Sequence, residues 1–139
     1  MELNTFGAIL GFAIEWEKRA AAFYEAGARN RLLPPFLELA QGARRRLRRL
    51  EQARQEGVAE MILEPIHGLD GEAYRVDLSP ETEETVLLQQ ARRLEETAAR
   101  FYQDAASRMP IREVARLLQG LAQENMKRWE HLDIGTLTR

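Results

Sequence analysis

The stretch Glu17-Lys18-Arg19-Ala20-Ala21-Ala22-Phe23-Tyr24 returns as Glu95-Glu96-Thr97-Ala98-Ala99-Arg100-Phe101-Tyr102, at a constant offset of 78 residues. In both copies a glutamate precedes a tyrosine by seven residues, two helical turns, so the two side chains share one helix face. A second echo follows downstream. Leu39-Ala40-Gln41 matches Leu121-Ala122-Gln123 after an insertion of four residues, about one turn. The repeated unit is therefore a helical hairpin, present twice.

Outward from these copies the apolar residues keep a helical period. Leu3, Gly7, Leu10, Ile14, Glu17, Ala21, Tyr24 and Ala28 step by threes and fours and predict a first helix over about residues 3–29. Pro34-Pro35 opens a second, about 35–57, because proline fits a first turn that needs no amide donor. Its seam is Phe36, Leu39, Ala43, Arg46 with Leu47, Leu50 and Ala53, and Gly57 suits its end. Ser79-Pro80-Glu81 predicts the start of a third helix, about 80–108, with serine as cap and the acidic cluster at the positive end of the macrodipole. Leu88, Ala91, Glu95, Ala98, Tyr102 and Ala105 form its seam. Pro110 opens a fourth, about 110–133, with Val114, Leu118, Leu121, Asn125, Arg128 and Leu132 in line. Residues of about 58–79 hold two glycines, Pro65 and no sustained period, which makes them the crossover. This order predicts an all-α four-helix bundle, two hairpins joined by a long connection, as a single domain over residues 1–139.

Composition narrows the chemistry. With 139 residues, 45% of them hydrophobic, the chain can bury one sizeable core. It has no cysteine, which excludes disulfides, thiolate zinc sites, iron–sulfur clusters and a cysteine nucleophile. Any metal would rest on carboxylates and on His67 and His131. A net charge of −2 offers no general attraction to nucleic acid or to an anionic membrane. The apolar run 8–14 is broken by Gly11 and follows Glu2 rather than a basic segment, so neither a secretion signal nor a membrane span is expected and a cytoplasmic location is. No glycine-rich phosphate loop and no serine–histidine–acid arrangement stands out.

The informative residues are the charged ones inside the seams, since a buried carboxylate without a partner costs several kcal/mol, on the order of the desolvation of one ion. Glu17 and Glu95 both occupy such positions. With Ala13-Ile14-Glu15-Trp16-Glu17 through Phe23-Tyr24, Glu95 through Phe101-Tyr102, and the two Leu-Ala-Gln openings, nearly the whole chain resembles a ferritin-like domain of the rubrerythrin group. That resemblance implies two iron or manganese ions held by one glutamate from each of helices one and three and a Glu-x-x-His pair from each of helices two and four. Glu17 and Glu95 match the first two ligands. Counted from the Leu-Ala openings, the remaining four fall on Ala43 and Arg46 and on Asn125 and Arg128, none of which is a good metal ligand. Arg46 and Arg128 are instead suited to charge-assisted pairs with Glu17 and Glu95. The expectation is a structural Arg/Glu cluster, completed by Tyr24, Tyr102 and Asn125, in place of the metals.

Two other readings stay open. A displaced site of Glu124 and His131 with Glu17 or Glu95 would hold iron or manganese and make the chain a rubrerythrin-type oxidoreductase or iron-binding protein. The run Arg44-Arg45-Arg46-Leu47-Arg48-Arg49 is spread around a helix and followed by Glu51 and Glu56, so it reads as a solvated face rather than a nucleic-acid site. His67 reads as a solvent-facing loop residue. Helix one carries a second apolar stripe, Ile9, Phe12, Trp16, Ala20 and Phe23, wider than a surface helix needs. A two-fold homodimer burying Phe12 and Trp16 would cover it, as would the crossover through Met61, Ile62, Leu63 and Ile66. The leading expectation is a non-enzymatic bundle without cofactor, a dimeric scaffold or partner-binding protein.

Overall fold

A computed structural model of the chain describes residues 2–31, 34–56 and 66–137, with side chains over 2–29, 35–56 and 66–128. It is all-helical: α1 (Phe6–Arg31), α2 (Pro34–Glu56), α3 (Glu84–Arg108) and α4 (Arg112–Leu137), with a short 3-10 turn, Gly71–Tyr74, among the described residues between α2 and α3. Among the described residues there is no strand, and no helix is long and apolar enough to cross a membrane. α1 packs along α2 and α3 along α4, giving the two hairpins, and α1 meets α3 between them.

The four seams face one another. Leu10, Ile14, Ala21 and Tyr24 of α1, Phe36 and Leu50 of α2, Ala91 and Tyr102 of α3, and Leu118 and Leu121 of α4 are all buried. The repeat survives as geometry. The rings of Phe23 and Tyr24 lie 5.4 Å apart at 58°, and those of Phe101 and Tyr102 lie 5.3 Å apart at 57°. Small residues between the large ones, Ala13, Ala21, Ala43, Ala91, Ala98 and Ala105, let the helices approach closely.

Three helix starts differ from the expectation. α1 starts at Phe6 rather than at Leu3, because Thr5 Oγ1 accepts a hydrogen bond from the Ala8 amide at 3.0 Å and caps the helix there. Residues 2–4 are extended instead. The Leu3 amide donates to Leu69 at 2.8 Å, the Ile66 amide donates to Asn4 at 2.9 Å, and Glu2 bridges to Asp70. α3 starts at Glu84, not at Pro80, and Ser79 does not cap it. The Gln90 side chain instead closes on Ser79 from within the helix, accepting from its amide at 2.5 Å and donating to its carbonyl at 3.0 Å. With both backbone groups of Ser79 satisfied sideways, residues 80–83 run alongside α3 before joining it. α4 begins two residues after Pro110, at Arg112.

The described part of the crossover, 66–83, covers the second stripe of α1. Tyr74 lies 5.2 Å from Phe101 and 6.4 Å from Phe12, ring to ring, and its hydroxyl donates to Asp104 at 2.6 Å. Phe12 itself lies 4.8 Å from Phe101. Arginines satisfy carbonyls that the irregular segment leaves over: Arg19 donates to Val76 at 2.9 Å, Arg100 to Ala73 at 2.7 Å and Arg108 to His67 at 2.9 Å. Gly68, at φ 89°, makes the turn that presents the His67 carbonyl, in a backbone region open to glycine. The crossover thus packs over the stripe within one chain, the second of the two covers expected for it: Trp16 is 5% exposed and Phe12 is half-buried beside Tyr74 and Gly71. Ile66 contributes to the cover as expected; Met61, Ile62 and Leu63 lie outside the described residues.

Helix packing at the hairpin ends generates a paired prediction. A Cβ on Gly27 would come within 2.7 Å of the Phe36 ring, whereas one on Gly120 would meet nothing within 4 Å. Gly27→Ala should destabilise the chain by about 1–3 kcal/mol through overpacking. Gly120→Ala should stabilise it by roughly 0.4–1 kcal/mol by restricting the unfolded chain. Urea unfolding midpoints of the two variants, moving in opposite directions, check both.

Candidate functional site

Each helix contributes polar side chains to one place in the core. α1 brings Glu17 and Tyr24, α2 Arg46, α3 Glu95 and Tyr102, and α4 Asn125, all of them at most 1% exposed. The seam periodicity that places Leu and Ala on this face places these residues there too, so the helices cannot pack apolar surface without enclosing them. Arg46 Nε donates to Glu17 Oε1 at 3.0 Å and to Oε2 at 3.1 Å. Tyr102 Oη donates to Glu17 Oε2 at 2.6 Å. Glu17 thereby ties α1 to α2 and α3. On the opposite copy, Asn125 Nδ2 donates to Glu95 Oε2 at 3.2 Å and ties α3 to α4. Tyr24 Oη lies near Glu95 but does not make the hydrogen bond that Tyr102 Oη makes to Glu17.

Arg128 does not join the cluster on equal terms, which corrects the expected pairing with Glu95. Its side chain is 21% exposed and pairs with Glu124, one turn back on the same helix, at 4.0 Å, while Glu95 acts on it through charge. The guanidinium lies over Gly42, where a Cβ would collide with it. Burial and the charge of Arg46 both work against Arg128, and its pKa is lowered from the usual arginine range. The charge of Arg46 repels a second guanidinium in this low-dielectric centre, and Arg128 is only partly buried where Arg46 is fully buried. Gly42 was the signal in the sequence, one residue before the ligand-equivalent Ala43. Two surface ion pairs also escaped the sequence reading: Arg44 grips Glu25 through two bonds, 2.8 and 2.6 Å, across the first hairpin, and Arg49 reaches Glu124 at 2.7 Å from α2 to α4.

Protonation follows from burial and neighbours. Burial pushes the Glu17 carboxyl upward, against Arg46 and the Tyr102 hydroxyl, and the net is a rise. For Arg46, burial pulls downward but Glu17 and then Glu95 outweigh it, so the guanidinium is held more firmly charged than usual. The two partners thus disagree on whether the pair is ionised. Nε donating to both oxygens is the geometry of a carboxylate, and a guanidinium does not release its proton, so Glu17 and Arg46 form a charged pair. Glu95 has no cation in contact. Its burial dominates, with Arg46 opposing and Glu17 reinforcing, and its carboxyl is raised above the ordinary 4.5. Burial, followed by the nearest carboxylate, raises both Tyr24 and Tyr102 well above the usual phenol range, so each remains a hydrogen-bond donor.

The residues present do not fit the pair of metal ions that the resemblance would imply. Both Glu17 oxygens are engaged by a guanidinium, Asn125 turns its amide donor rather than its carbonyl to Glu95, and Ala43 offers no ligand atom. A cation placed between Glu17 and Glu95 would sit against Arg46. The displaced set fares no better where it is described: Glu124 is engaged with Arg49, and the side chain of His131 lies outside the described residues. Among the described residues no three histidine, aspartate or glutamate side chains are grouped to hold a metal ion. His67 is exposed, and only its backbone carbonyl is used. Compared with family models, with curated proteins and with solved structures, the chain finds no match in any of the three.

Two predictions come from this geometry. Arg46→Ala or Glu17→Ala strands the opposite charge and should cost roughly 3–5 kcal/mol, whereas Glu17→Leu combined with Arg46→Met should recover most of that loss; thermal and urea unfolding of the three variants measure it. The second concerns pH. Because folding raises the Glu95 pKa above 4.5, the folded chain binds that proton more tightly than the unfolded one, so its contribution is complete at low pH and is lost as pH climbs through the folded value. Glu95→Gln should therefore gain on the wild type as pH rises above the ordinary carboxylate range. Parallel stability curves for the two proteins would show that Glu95 is not proton-linked.

Proposed function

We propose that this chain is a ferritin-like, rubrerythrin-like bundle in which an arginine–carboxylate cluster stands where relatives of that architecture hold two metals. Its role is non-enzymatic, as a helical scaffold or partner-binding protein. The observation that carries the reading is the buried bond from Arg46 Nε to both oxygens of Glu17 at the position where a di-metal protein would place a histidine against a glutamate. The internal repeat supports it. Glutamate and tyrosine recur on α1 and α3 with matching ring geometry, while arginine and a non-ligand residue occupy the corresponding positions on α2 and α4.

A guanidinium does part of the work of a metal here. It neutralises one carboxylate and joins two helices, but it provides no open coordination position, no redox couple and no activated water. The cluster is therefore suited to specifying how the hairpins meet rather than to turning over a substrate. A homodimer through Phe12 and Trp16 is not part of the proposal, since the crossover already covers that stripe.

Metal analysis and engineering test the reading together. Wild-type protein purified without added metal should contain only traces of iron and manganese, and an iron titration in air should develop no oxo-bridged absorption. Replacing Ala43→Glu, Arg46→His, Asn125→Glu and Arg128→His should restore a six-ligand set and produce stoichiometric uptake with that absorption. Stoichiometric metal in the wild type would overturn the proposal in favour of an iron-binding protein or oxidoreductase.

A further inference from the structure

The buried centre is only half satisfied, and the unsatisfied half is not random. Arg46 Nη1 and Nη2, Tyr24 Oη, Glu95 Oε1 and Asn125 Oδ1 are all buried without a hydrogen-bond partner among the described residues. They come one residue from each of the four helices. The same four residues are at most 1% exposed, so bulk solvent does not reach them. Leaving that many polar groups unpaired in a protein interior is rare, because each would forfeit the hydrogen bonds it makes in water.

The chemistry of the set selects its occupant. Arg46 offers only donors, Glu95 Oε1 and Asn125 Oδ1 only acceptors when Glu95 is ionised, and Tyr24 either. A cation placed there would meet the Arg46 guanidinium. An anion would meet Glu95 and, beyond Arg46, Glu17. A molecule that both donates and accepts, carries no charge and is small enough for a core packed by Tyr24, Tyr102 and Phe36 matches all of these atoms at once. We infer that the bundle encloses water bridging Arg46 Nη to Glu95 Oε1 and Asn125 Oδ1, so that the contact Arg128 does not make to Glu95 is made through solvent.

This inference goes beyond the proposed function and does not rest on the family reading. It explains the asymmetry of the repeat. Glu17 is bound directly by arginine and tyrosine, whereas Glu95 has an amide on one oxygen and, through water, Arg46 on the other. Arg128, lying over Gly42 at 21% exposure, is the polar side chain between this centre and the surface. About one buried water per 27 residues is usual for a globular protein, each with two to four polar partners.

The test is a crystal structure of the full chain at atomic resolution, paired with oxygen-17 relaxation dispersion in solution. Solvent density within hydrogen-bond distance of both an Arg46 Nη atom and Glu95 Oε1 is the expected result. In solution the wild type should show a long-lived water whose dispersion is lost when Glu95→Leu and Asn125→Leu are combined. Direct contact between Arg46 Nη and Glu95 Oε1 with nothing between them would overturn the inference while leaving the proposed function intact. Density with metal coordination distances of about 2.0–2.2 Å would overturn both. Should the double variant fail to fold, the wild-type crystal structure and dispersion decide alone.

Discussion

The ion pair between Arg46 and Glu17 is the constraint around which the rest of the bundle is arranged. Both side chains are about 1% exposed, so their charges interact in a medium that screens them weakly, and neither can be left alone. Nε on both oxygens fixes the rotation of α2 about its axis relative to α1; a slip of one residue would carry Arg46 out of the seam and leave Glu17 without a counter-charge. Tyr102 extends the constraint to α3 through the second oxygen of the same carboxylate. Apolar seams alone tolerate several registers, because one leucine can replace another in a groove. A single buried charge pair does not, and this is the best-attested use of such pairs.

Much of this was legible in the sequence because it depends on periodicity. Glu17, Arg46 and Glu95 interrupt seams of Leu and Ala at helical spacing, and their burial follows once the seams are drawn. Asn125 and the two tyrosines follow by the same argument. The four helices and their hairpin pairing were legible for the same reason. What escaped was anything decided by reach or by local competition. Arg128 shares the seam of α4, yet its long side chain lies over Gly42, partly exposed, and pairs with Glu124 rather than with Glu95. Periodicity locates a Cβ, not the end of a flexible guanidinium. Ser79 and Pro80 carry the composition of a helix start, but Gln90, well inside α3, outcompetes the cap by binding Ser79 through both of its backbone groups. The stripe of Phe12 and Trp16 left two covers open, a second subunit or the crossover, because nothing in residues 66–78 announces that Tyr74 will pack against both Phe12 and Phe101.

The crossover shows the same economy of arginine on the outside of the bundle. Irregular backbone laid across helices leaves carbonyl oxygens facing protein rather than water. Arg19, Arg100 and Arg108 answer them one by one while covering apolar surface with their stems. Arg100 also lies 5.3 Å above the Tyr74 ring, so a single side chain fastens the segment by a hydrogen bond and by attraction to an aromatic face. An acidic stretch between α2 and α3 and a basic α2 keep the net charge near zero, yet the arginines are not interchangeable: some brace a loop, some clasp a surface glutamate, and one neutralises the core.

Why one buried arginine does not reproduce what two metal ions would do follows from shape. A metal ion is a point that gathers ligands from every direction, so four helices can converge on it alike. A guanidinium is a planar fork whose donors leave along fixed lines. With Nε committed to Glu17, neither Nη group bonds a side chain, and Glu95 on α3 is left without a direct bond from Arg46. A second arginine would complete the symmetry, but it would have to bring a like charge beside the first, and Arg128 pairs with Glu124 on its own helix instead. The near-symmetric repeat in sequence therefore produces an asymmetric core: one copy closed by direct bonds, the other by an amide and by groups still in need of partners. That asymmetry is a consequence of charge and planarity rather than of any difference between the two glutamates.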